Sequence, residues 1–294
     1  MKYIGTNIGG GIPKCLITAK KLNVDTIQMM PTAPMRWSAK EIPDEIVEAF
    51  VQNLLDNPVK KLLMHGIYLI NLARGDKQLF HLSKLSLVTY LNFQSRVEDR
   101  ISSLSSNDKA RIEKEFEILG TCFHPGSAKD LSAEESLERV IYGINWILDN
   151  APRGTLLIES TAGAGDVMGD TFEELAKMRD NANQKTRVGF VIDTQHTYAS
   201  GYDWVNDLDG VVEVMDKTIG IENVKAIHLN DSIPTLASHK DRHANIGDGN
   251  IGLDAIQKIV SHKKLTNIPF FLETPAIKDD EGIHAELAKL SPLK

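Results

Sequence analysis

Nine side chains of this 294-residue sequence could bind metal ions, and most of them stand at the end of a short apolar run. A single histidine in such a place is more often a hydrogen-bonded structural residue. Imidazoles mixed with carboxylates, however, are the ligands of Zn²⁺ or Mn²⁺, and nine of them exceed the needs of one ion. The pattern therefore favours three ions, each of them about four- or five-coordinate. The nine residues are His65, His124, Glu159, Asp193, His196, His228, Asp241, His243 and Glu273.

Residues 224–252 carry three of the nine within one apolar run and the loop that follows it. The run is typical of a short buried strand, and His228 lies near its end. Asp241 and His243 are two residues apart, so both side chains leave the same face of an extended segment. That geometry suits one divalent ion. The glycines of the closing GDGNIG sequence allow sharp turns before the next helix.

Eight apolar runs of this kind alternate with segments of helical spacing. The helical pattern is clearest after Leu131, where Ser132 and Glu135 form a capping box ahead of regularly spaced apolar residues. Such alternation predicts parallel strands joined by crossover helices, and eight units in about 250–300 residues fit a (β/α)8 TIM barrel better than a doubly wound sheet. The eight predicted strands are residues 3–8, 26–30, 61–65, 121–124, 156–159, 188–193, 224–229 and 270–273.

The barrel explains why the candidate ligands end the strands, because the active site of a TIM barrel lies at the C-terminal ends of its strands. The third to the eighth predicted strands each end in one of the nine residues. His196 follows the sixth strand by three residues, and Asp241 and His243 come from the long loop after the seventh. So much buried charge at one rim requires cations to neutralise it.

The chain shows no Pro-, Gly- or Ser-rich linker, so we expect residues 1–294 to form a single domain. Residues 73–120 depart from the regular alternation, since they are longer than one crossover helix needs and contain a polar interruption at 102–108. Two or more helices are expected there. An extended helical insertion on the rim of the barrel is favoured over a functional lid.

Composition limits the classes of partner and compartment. The net charge of −7 argues, taken alone, against a nucleic-acid partner, but three divalent ions would bring it to about −1. No run of about 18 apolar residues could span a membrane, and the N-terminus lacks the core of a signal peptide. We therefore expect a cytoplasmic protein with no membrane partner. Cys15 and Cys122 are expected to be buried free thiols.

The other histidines and one glycine-rich stretch fall outside the pattern. His81, His262 and His284 are expected on helix surfaces, and His239 is either a solvated loop residue or a contact to a ligand. Residues 161–166, TAGAGD, follow a strand but do not have the GxGxxG spacing of dinucleotide-binding loops. Tight turns or a close backbone approach to a phosphate are the plainer use of these glycines.

Taken together, the motifs resemble the endonuclease IV family of apurinic/apyrimidinic (AP) endonucleases. The resemblance runs from residue 1 to about residue 275 and is most specific in the DTQH and DRHANIGDGNIG stretches. It also includes MKYIG at the start, HGIYLINL around His65, FHPGS around His124, IESTAGAG around Glu159, HLNDS around His228 and FLETP around Glu273.

The resemblance implies a trinuclear zinc site, with Mn²⁺ an alternative at one or more positions. His65, His124 and Glu159 would hold one ion, and Glu159 would bridge to a second ion. The second ion would also bind Asp193, His228 and Glu273, and the third would bind His196, Asp241 and His243. The implied reaction is hydrolysis of duplex DNA on the 5′ side of an abasic site, leaving a 3′-hydroxyl and a 5′-deoxyribose phosphate. Glu159 is carried over as the catalytic residue, and the protein is expected to be a monomer.

Damage recognition, by the same resemblance, would use residues that enter the gap in the duplex. Tyr68 and Leu69 match such positions, although they could instead cap the core of the barrel. The second loop departs from the family pattern, because Met35 stands where a phosphate-binding arginine is common. Met35 could act as a wedge, and Arg36 could compensate from the neighbouring position. Asn7 stands where a histidine is common, so both changes bear on substrate recognition.

Two alternatives belong to other functional classes. A sugar isomerase or epimerase of the xylose-isomerase-like barrel group would use Glu159, Asp193, His228 and Glu273 around a single metal ion, but it would leave the other five candidate ligands without a purpose. A protein that binds damaged DNA without cutting it would be expected to lack a ligand, and all nine are present.

Overall fold

Eight parallel strands close into a barrel in the computed structural model, which describes residues 2–37 and 40–293. The barrel strands are β1 (Ile4–Asn7), β2 (Thr26–Met29), β3 (Lys61–His65), β4 (Glu117–Phe123), β5 (Leu156–Glu159), β6 (Val188–Asp193), β7 (Val224–His228) and β10 (Phe270–Leu272). Their order around the barrel is β1-β10-β7-β6-β5-β4-β3-β2, with hydrogen-bonded neighbours throughout. The predicted TIM barrel is therefore confirmed.

Helices connect the strands and cover the outside of the barrel. They are α1 (Ile12–Leu22), α2 (Asp44–Leu54), α3 (Lys77–Ser102), α4 (Ser106–Glu115), α5 (Ala133–Asn150), α6 (Phe172–Asp180), α7 (Thr194–Ser200), α8 (Leu208–Ile219), α9 (Gly252–Ser261) and α10 (Asp280–Leu290). The capping box predicted at Ser132 and Glu135 is present at the start of α5, where each residue bonds to the backbone of the other. Among the described residues, no helix combines the length and apolar character needed to cross a bilayer.

The long segment between β3 and β4 contains α3 and α4. The 26-residue α3 packs against both α2 and α5, so it occupies the place of the third crossover helix. It ends at the polar interruption, and the Ser105 side chain caps the first turn of α4 by accepting a hydrogen bond from the backbone N–H of Asp108. The second helix is thus an addition to the regular ring.

Strand alternation places the candidate ligands above an apolar plug inside the barrel. The plug is one hydrophobic cluster whose members come from six neighbouring strands. Successive side chains of a strand point to opposite faces, so a residue two positions further on also points inward. For six plug residues, that position is a candidate ligand: Leu63 precedes His65, Cys122 precedes His124, Leu157 precedes Glu159, Val191 precedes Asp193, Ala226 precedes His228, and Phe271 precedes Glu273.

A small antiparallel ribbon at the mouth of the barrel carries His243, and Asp241 lies two residues before its second strand. It pairs β8 (Asp231–Ser232) with β9 (His243–Ala244) in the segment that follows β7. The buried carboxylate of Asp231 holds the ribbon to the glycine-rich turn by accepting hydrogen bonds from the backbone N–H groups of Gly247, Gly249, Ile251 and Gly252 at 2.9–3.2 Å.

The turn needs its glycines for two different reasons. Gly247 and Gly252 have φ values of 84° and 78°, which favour glycine because it lacks a Cβ. At Gly249 the reason is close approach, since a Cβ there would lie 2.5 Å from Oδ1 of Asp231. The carboxylate and the turn therefore form one rigid support for the ribbon.

We predict that Asp231→Asn lowers the free energy of unfolding by about 1–3 kcal/mol, because an amide NH₂ would face backbone N–H donors in a buried site. Urea unfolding followed by circular dichroism measures the change. Asp248→Asn is the control, since Asp248 is exposed on the same turn. Equal unfolding midpoints for the two variants would contradict this account of the turn.

Candidate metal centre

Glu159 lies at the centre of the cluster and is completely buried. Its Oε2 atom is 3.1 Å from Nε2 of His65 and 3.1 Å from Nε2 of His124. Its Oε1 atom is 2.8 Å from Nδ1 of His228. The two carboxylate oxygens therefore face different groups of histidines, which is the arrangement that a carboxylate bridging two cations requires.

The remaining candidates lie close to one another or to His228. Nε2 of His243 is 3.6 Å from Oδ2 of Asp193 and 3.7 Å from Oδ1 of Asp241. Nε2 of His196 is 3.4 Å from the same oxygen of Asp241. Oε2 of Glu273 is 3.4 Å from Nδ1 of His228.

All nine sequence-predicted residues thus meet at one mouth of the barrel. Seven of them, together with Cys122, form three groups, and within each group the possible ligand atoms, one from each residue, all lie within 4.8 Å of one another. These groups resemble the implied partition, but His124 and Asp241 border them rather than belong to them. The geometry is suitable for metal binding, while the ligand role of each residue stays a prediction. The three groups are His65 with Cys122 and Glu159; Asp193 with His196 and His243; and Glu159 with Asp193, His228 and Glu273.

Charge in the cluster is balanced by histidines alone in the part of the chain that the structure describes. All ion pairs of Glu159, Asp193 and Glu273 there are with imidazoles. Burial raises the pKa of Glu159, but His124 and His228 more than offset this effect and hold that pKa well below its usual range. Burial lowers the pKa of His228, yet the surrounding carboxylates raise it to about 9.

The donor set fits divalent cations. Nε2 of His243 is buried and has no hydrogen-bond partner among the described residues, although it faces Asp193 and Asp241. A buried polar atom without a partner is costly, and a cation between these groups would satisfy it. Imidazole and carboxylate donors match Zn²⁺, and the carboxylates also suit the harder Mn²⁺.

Two residues near the cluster were not recognised from the sequence. Sγ of Cys122 lies 3.2 Å from Oε2 of Glu159, and burial raises the pKa of this thiol well above its usual range. Gln28 is buried between His228 and Glu273. The available signal was the alternation of strands, because both residues occupy inward-facing positions. As expected, both cysteines are free and buried.

A cavity of about 980 Å³ opens above the cluster, and its lining includes both Tyr68 and Leu69. Tyr68 is 64% exposed, so it does not cap the core. Leu69 is partly buried and packs against the core. Met35 and Arg36 are exposed on a neighbouring loop, which is joined to Tyr68 by a hydrogen bond from its backbone N–H to the carbonyl of Pro34.

The histidines outside the cluster lie at the surface or near it. His81 and His284 are exposed on α3 and α10, and His262 follows the end of α9, where it pairs with Asp209 at 3.1 Å. His239 is a loop residue at the surface. In the 161–166 stretch, Gly163 and Gly165 have φ values of 67° and 64°, in agreement with tight turns.

Comparisons with known proteins identify the family. The model of the family described as "Xylose isomerase-like TIM barrel" matches residues 16–292. The "Probable endonuclease 4" of Methanosphaera stadtmanae is 36% identical over 288 residues, which cover 98% of this chain and 96% of the relative. The chain belongs to the endonuclease IV family. A second family member, the "Probable endonuclease 4" of Alkaliphilus oremlandii, is 36% identical over 92% of this chain and 89% of its own.

Solved structures agree with membership of the endonuclease IV family. The crystal structure of endonuclease IV from Thermus thermophilus superposes with a TM-score of 0.81 at 26% identity, covering 99% of this chain and 98% of that one. The prediction that the protein is a hydrolase is confirmed by this family. A 3-keto-D-glucoside 4-epimerase from E. coli is only 12% identical at a TM-score of 0.68, so its likeness shows the fold alone.

We predict that Zn²⁺ binding near neutral pH releases protons. With a pKa of about 9 in the metal-free protein, His228 carries a proton on Nδ1 that a cation must displace. Release should diminish as the pH rises through that value, and zinc affinity should fall as the pH is lowered. Calorimetric titration in two buffers of different ionisation enthalpy measures the number of protons released per zinc ion bound. His262→Gln, outside the cluster, should leave this number unchanged. A wild-type binding heat that does not depend on the buffer would refute the prediction.

Proposed function

We propose that the protein is a zinc-dependent AP endonuclease that cleaves duplex DNA on the 5′ side of an abasic site, leaving a 3′-hydroxyl and a 5′-deoxyribose phosphate. One observation carries the proposal. Nine imidazole and carboxylate groups, with Glu159 at their centre, meet at the open end of a barrel, beneath a cavity large enough for an extruded nucleotide. Membership of the endonuclease IV family supports the same substrate.

Three cations would be held as the sequence motifs imply. His65, His124 and Glu159 would bind the first, and Asp193, His228 and Glu273 would share the second with Glu159. His196, Asp241 and His243 would bind the third, with Zn²⁺ at all three positions or Mn²⁺ at one or more. Four carboxylates would offset four of the six charges of three divalent ions, so the site would keep about +2, which attracts a phosphodiester. When bound, such cations supply Lewis-acid polarisation of the phosphodiester and lower the pKa of water.

Glu159 has the role that the geometry supports best. It is fixed between two groups of histidines, so its carboxylate would both hold two cations in register and orient the attacking water. Its burial against the apolar plug keeps the surroundings at low polarity, which strengthens charge–charge interactions. No serine, cysteine or lysine nucleophile is needed for this chemistry.

The rim of the cavity supplies the means to recognise DNA. Arg74, Lys129 and Lys278 line it and could contact phosphates on either side of the site. Extrusion of a nucleotide costs least where no base stacks, so an abasic nucleotide enters such a cavity most easily. The exposed ring of Tyr68 would fill the space left in the duplex, with Leu69 behind it and Met35 and Arg36 on the adjacent loop.

The proposed active unit is one copy of the chain. We propose that residues 1–294 work as a single domain and as a monomer, with the helical segment at 73–120 serving the rim of the barrel rather than a lid. The packing of α3 between α2 and α5 supports a structural role for this segment, because a helix held in the ring is poorly placed to open and close.

We predict that the wild-type protein nicks a duplex carrying one tetrahydrofuran abasic analogue and that a strong chelator abolishes nicking. Glu159→Gln should reduce the rate by at least about 10³-fold, because a neutral amide cannot bridge two cations. Gel electrophoresis of an end-labelled strand measures both effects. The control is Glu117→Gln at the N-terminal end of strand β4, away from the metal centre, and it should cleave at the wild-type rate. Tight binding of the wild type without nicking would favour a DNA-binding protein over the nuclease.

We predict that Tyr68→Ala lowers the preference for abasic over intact duplex by about 10-fold, since stacking of an aromatic ring on a base contributes roughly 1–3 kcal/mol. Competition binding with the two duplexes measures the preference. Tyr142→Ala removes a similarly exposed tyrosine from α5 and serves as the control. If Tyr68→Ala discriminates as well as the control does, Tyr68 has no part in damage recognition.

A further inference from the structure

We propose that Gln28 is a positioning residue that orients His228 and Glu273 for the second cation. The inference rests on the proposed function, because it assigns a partner to two of the proposed ligands. Gln28 lies on β2, three strands away from Glu159 around the barrel, and its side chain is completely buried. A buried amide inside a barrel strand is costly unless both of its ends are paired.

Both ends of the Gln28 amide are paired with proposed ligands. Its Nε2 atom donates to Oε1 of Glu273 at 2.6 Å, and its Oε1 atom is 2.6 Å from Nε2 of His228. The direction of the amide follows from chemistry. A carboxylate only accepts, so the NH₂ group must face Glu273 and the carbonyl oxygen must face His228.

The fixed amide determines which nitrogen of His228 is free to bind a cation. Because the carbonyl of Gln28 only accepts, Nε2 of His228 must keep its hydrogen. The other ring nitrogen, Nδ1, points into the cluster and lies 2.8 Å from Oε1 of Glu159. A ligand histidine is commonly held in this way, through a hydrogen bond from its second nitrogen.

The two carboxylate oxygens of Glu273 also have different partners. Oε1 is occupied by the amide of Gln28, whereas Oε2 faces Nδ1 of His228 at 3.4 Å. Gln28 therefore leaves His228 and Glu273 with one free metal-binding atom each, Nδ1 and Oε2, and both atoms face the proposed position of the second cation. In the described structure its hydrogen bonds go to these two residues, so its loss should affect the second position selectively.

The test uses Gln28→Met, which keeps the length of the side chain but can make neither hydrogen bond. Metal content of the purified full-length protein is measured by elemental analysis after dialysis, and release of zinc is followed with a chromophoric chelator. We expect one zinc ion of the wild-type set to bind about 10–100-fold more weakly and the others to bind as before. Thr121→Val, at an equally buried strand position with an unpaired hydroxyl in the described structure, is the control.

A second measurement does not depend on activity. The Nε2–H proton of His228 should give a protected imidazole signal in the nitrogen-edited NMR spectrum of the zinc-loaded wild type, and this signal should be lost or shifted in Gln28→Met. If that variant does not fold, Gln28→Asn replaces it, since a shorter amide cannot reach both partners.

The outcomes separate the two proposals. Unchanged zinc release together with an unchanged His228 signal in a folded variant would overturn the role of Gln28, whatever the enzyme cleaves. A wild-type protein that binds zinc but does not nick abasic DNA would instead sink the proposed function, while selective weakening of one ion would still support the positioning role.

Discussion

Three carboxylates meet at one end of the barrel, two of them completely buried and the third, Glu273, partly buried. Their ion-pair partners throughout the described residues are histidines, and this is the constraint on which the rest of the structure depends. Isolated buried carboxylates are strongly unfavourable, and neutral imidazoles alone do not offset them. The cluster is stable only when protons or cations supply positive charge. The apolar plug beneath it strengthens this requirement, because it excludes water from one side of Glu159, Asp193 and Glu273.

The barrel and the meeting of the six candidates at strand ends were predictable from the sequence because both follow from local periodicity. Strand length, alternation and a polar residue at the end of six of the eight strands are visible without knowledge of long-range contacts. Once a parallel barrel is assumed, closure alone brings the strand ends together. The strands β3, β5 and β6 have the predicted bounds, and the others differ by a few residues at their ends. For that reason His65, Glu159 and Asp193 were located well from sequence.

Contacts between side chains within the metal centre were less predictable, since they depend on the register between strands that are distant in sequence. Gln28 and His228 are 200 residues apart, and nothing local to either residue indicates that they meet. Cys122 was expected to be buried, but its contact with Glu159 follows from the way β4 packs beside β5. The exposure of Tyr68 likewise depends on how its loop leaves the barrel, which apolar character cannot reveal.

The antiparallel ribbon of β8 and β9 bears on the number of cations that the proposed site would hold. Asp241 and His243 are not part of the closed sheet, and their position depends on the turn gathered around Asp231. The strands could therefore keep every register and every plug residue if this loop were shortened. The proposed third cation would therefore depend on this surface loop for Asp241 and His243, whereas the proposed ligands of the other two stand at or directly after the ends of barrel strands. A barrel of the same shape can thus serve as a scaffold for fewer ions without any change in its architecture.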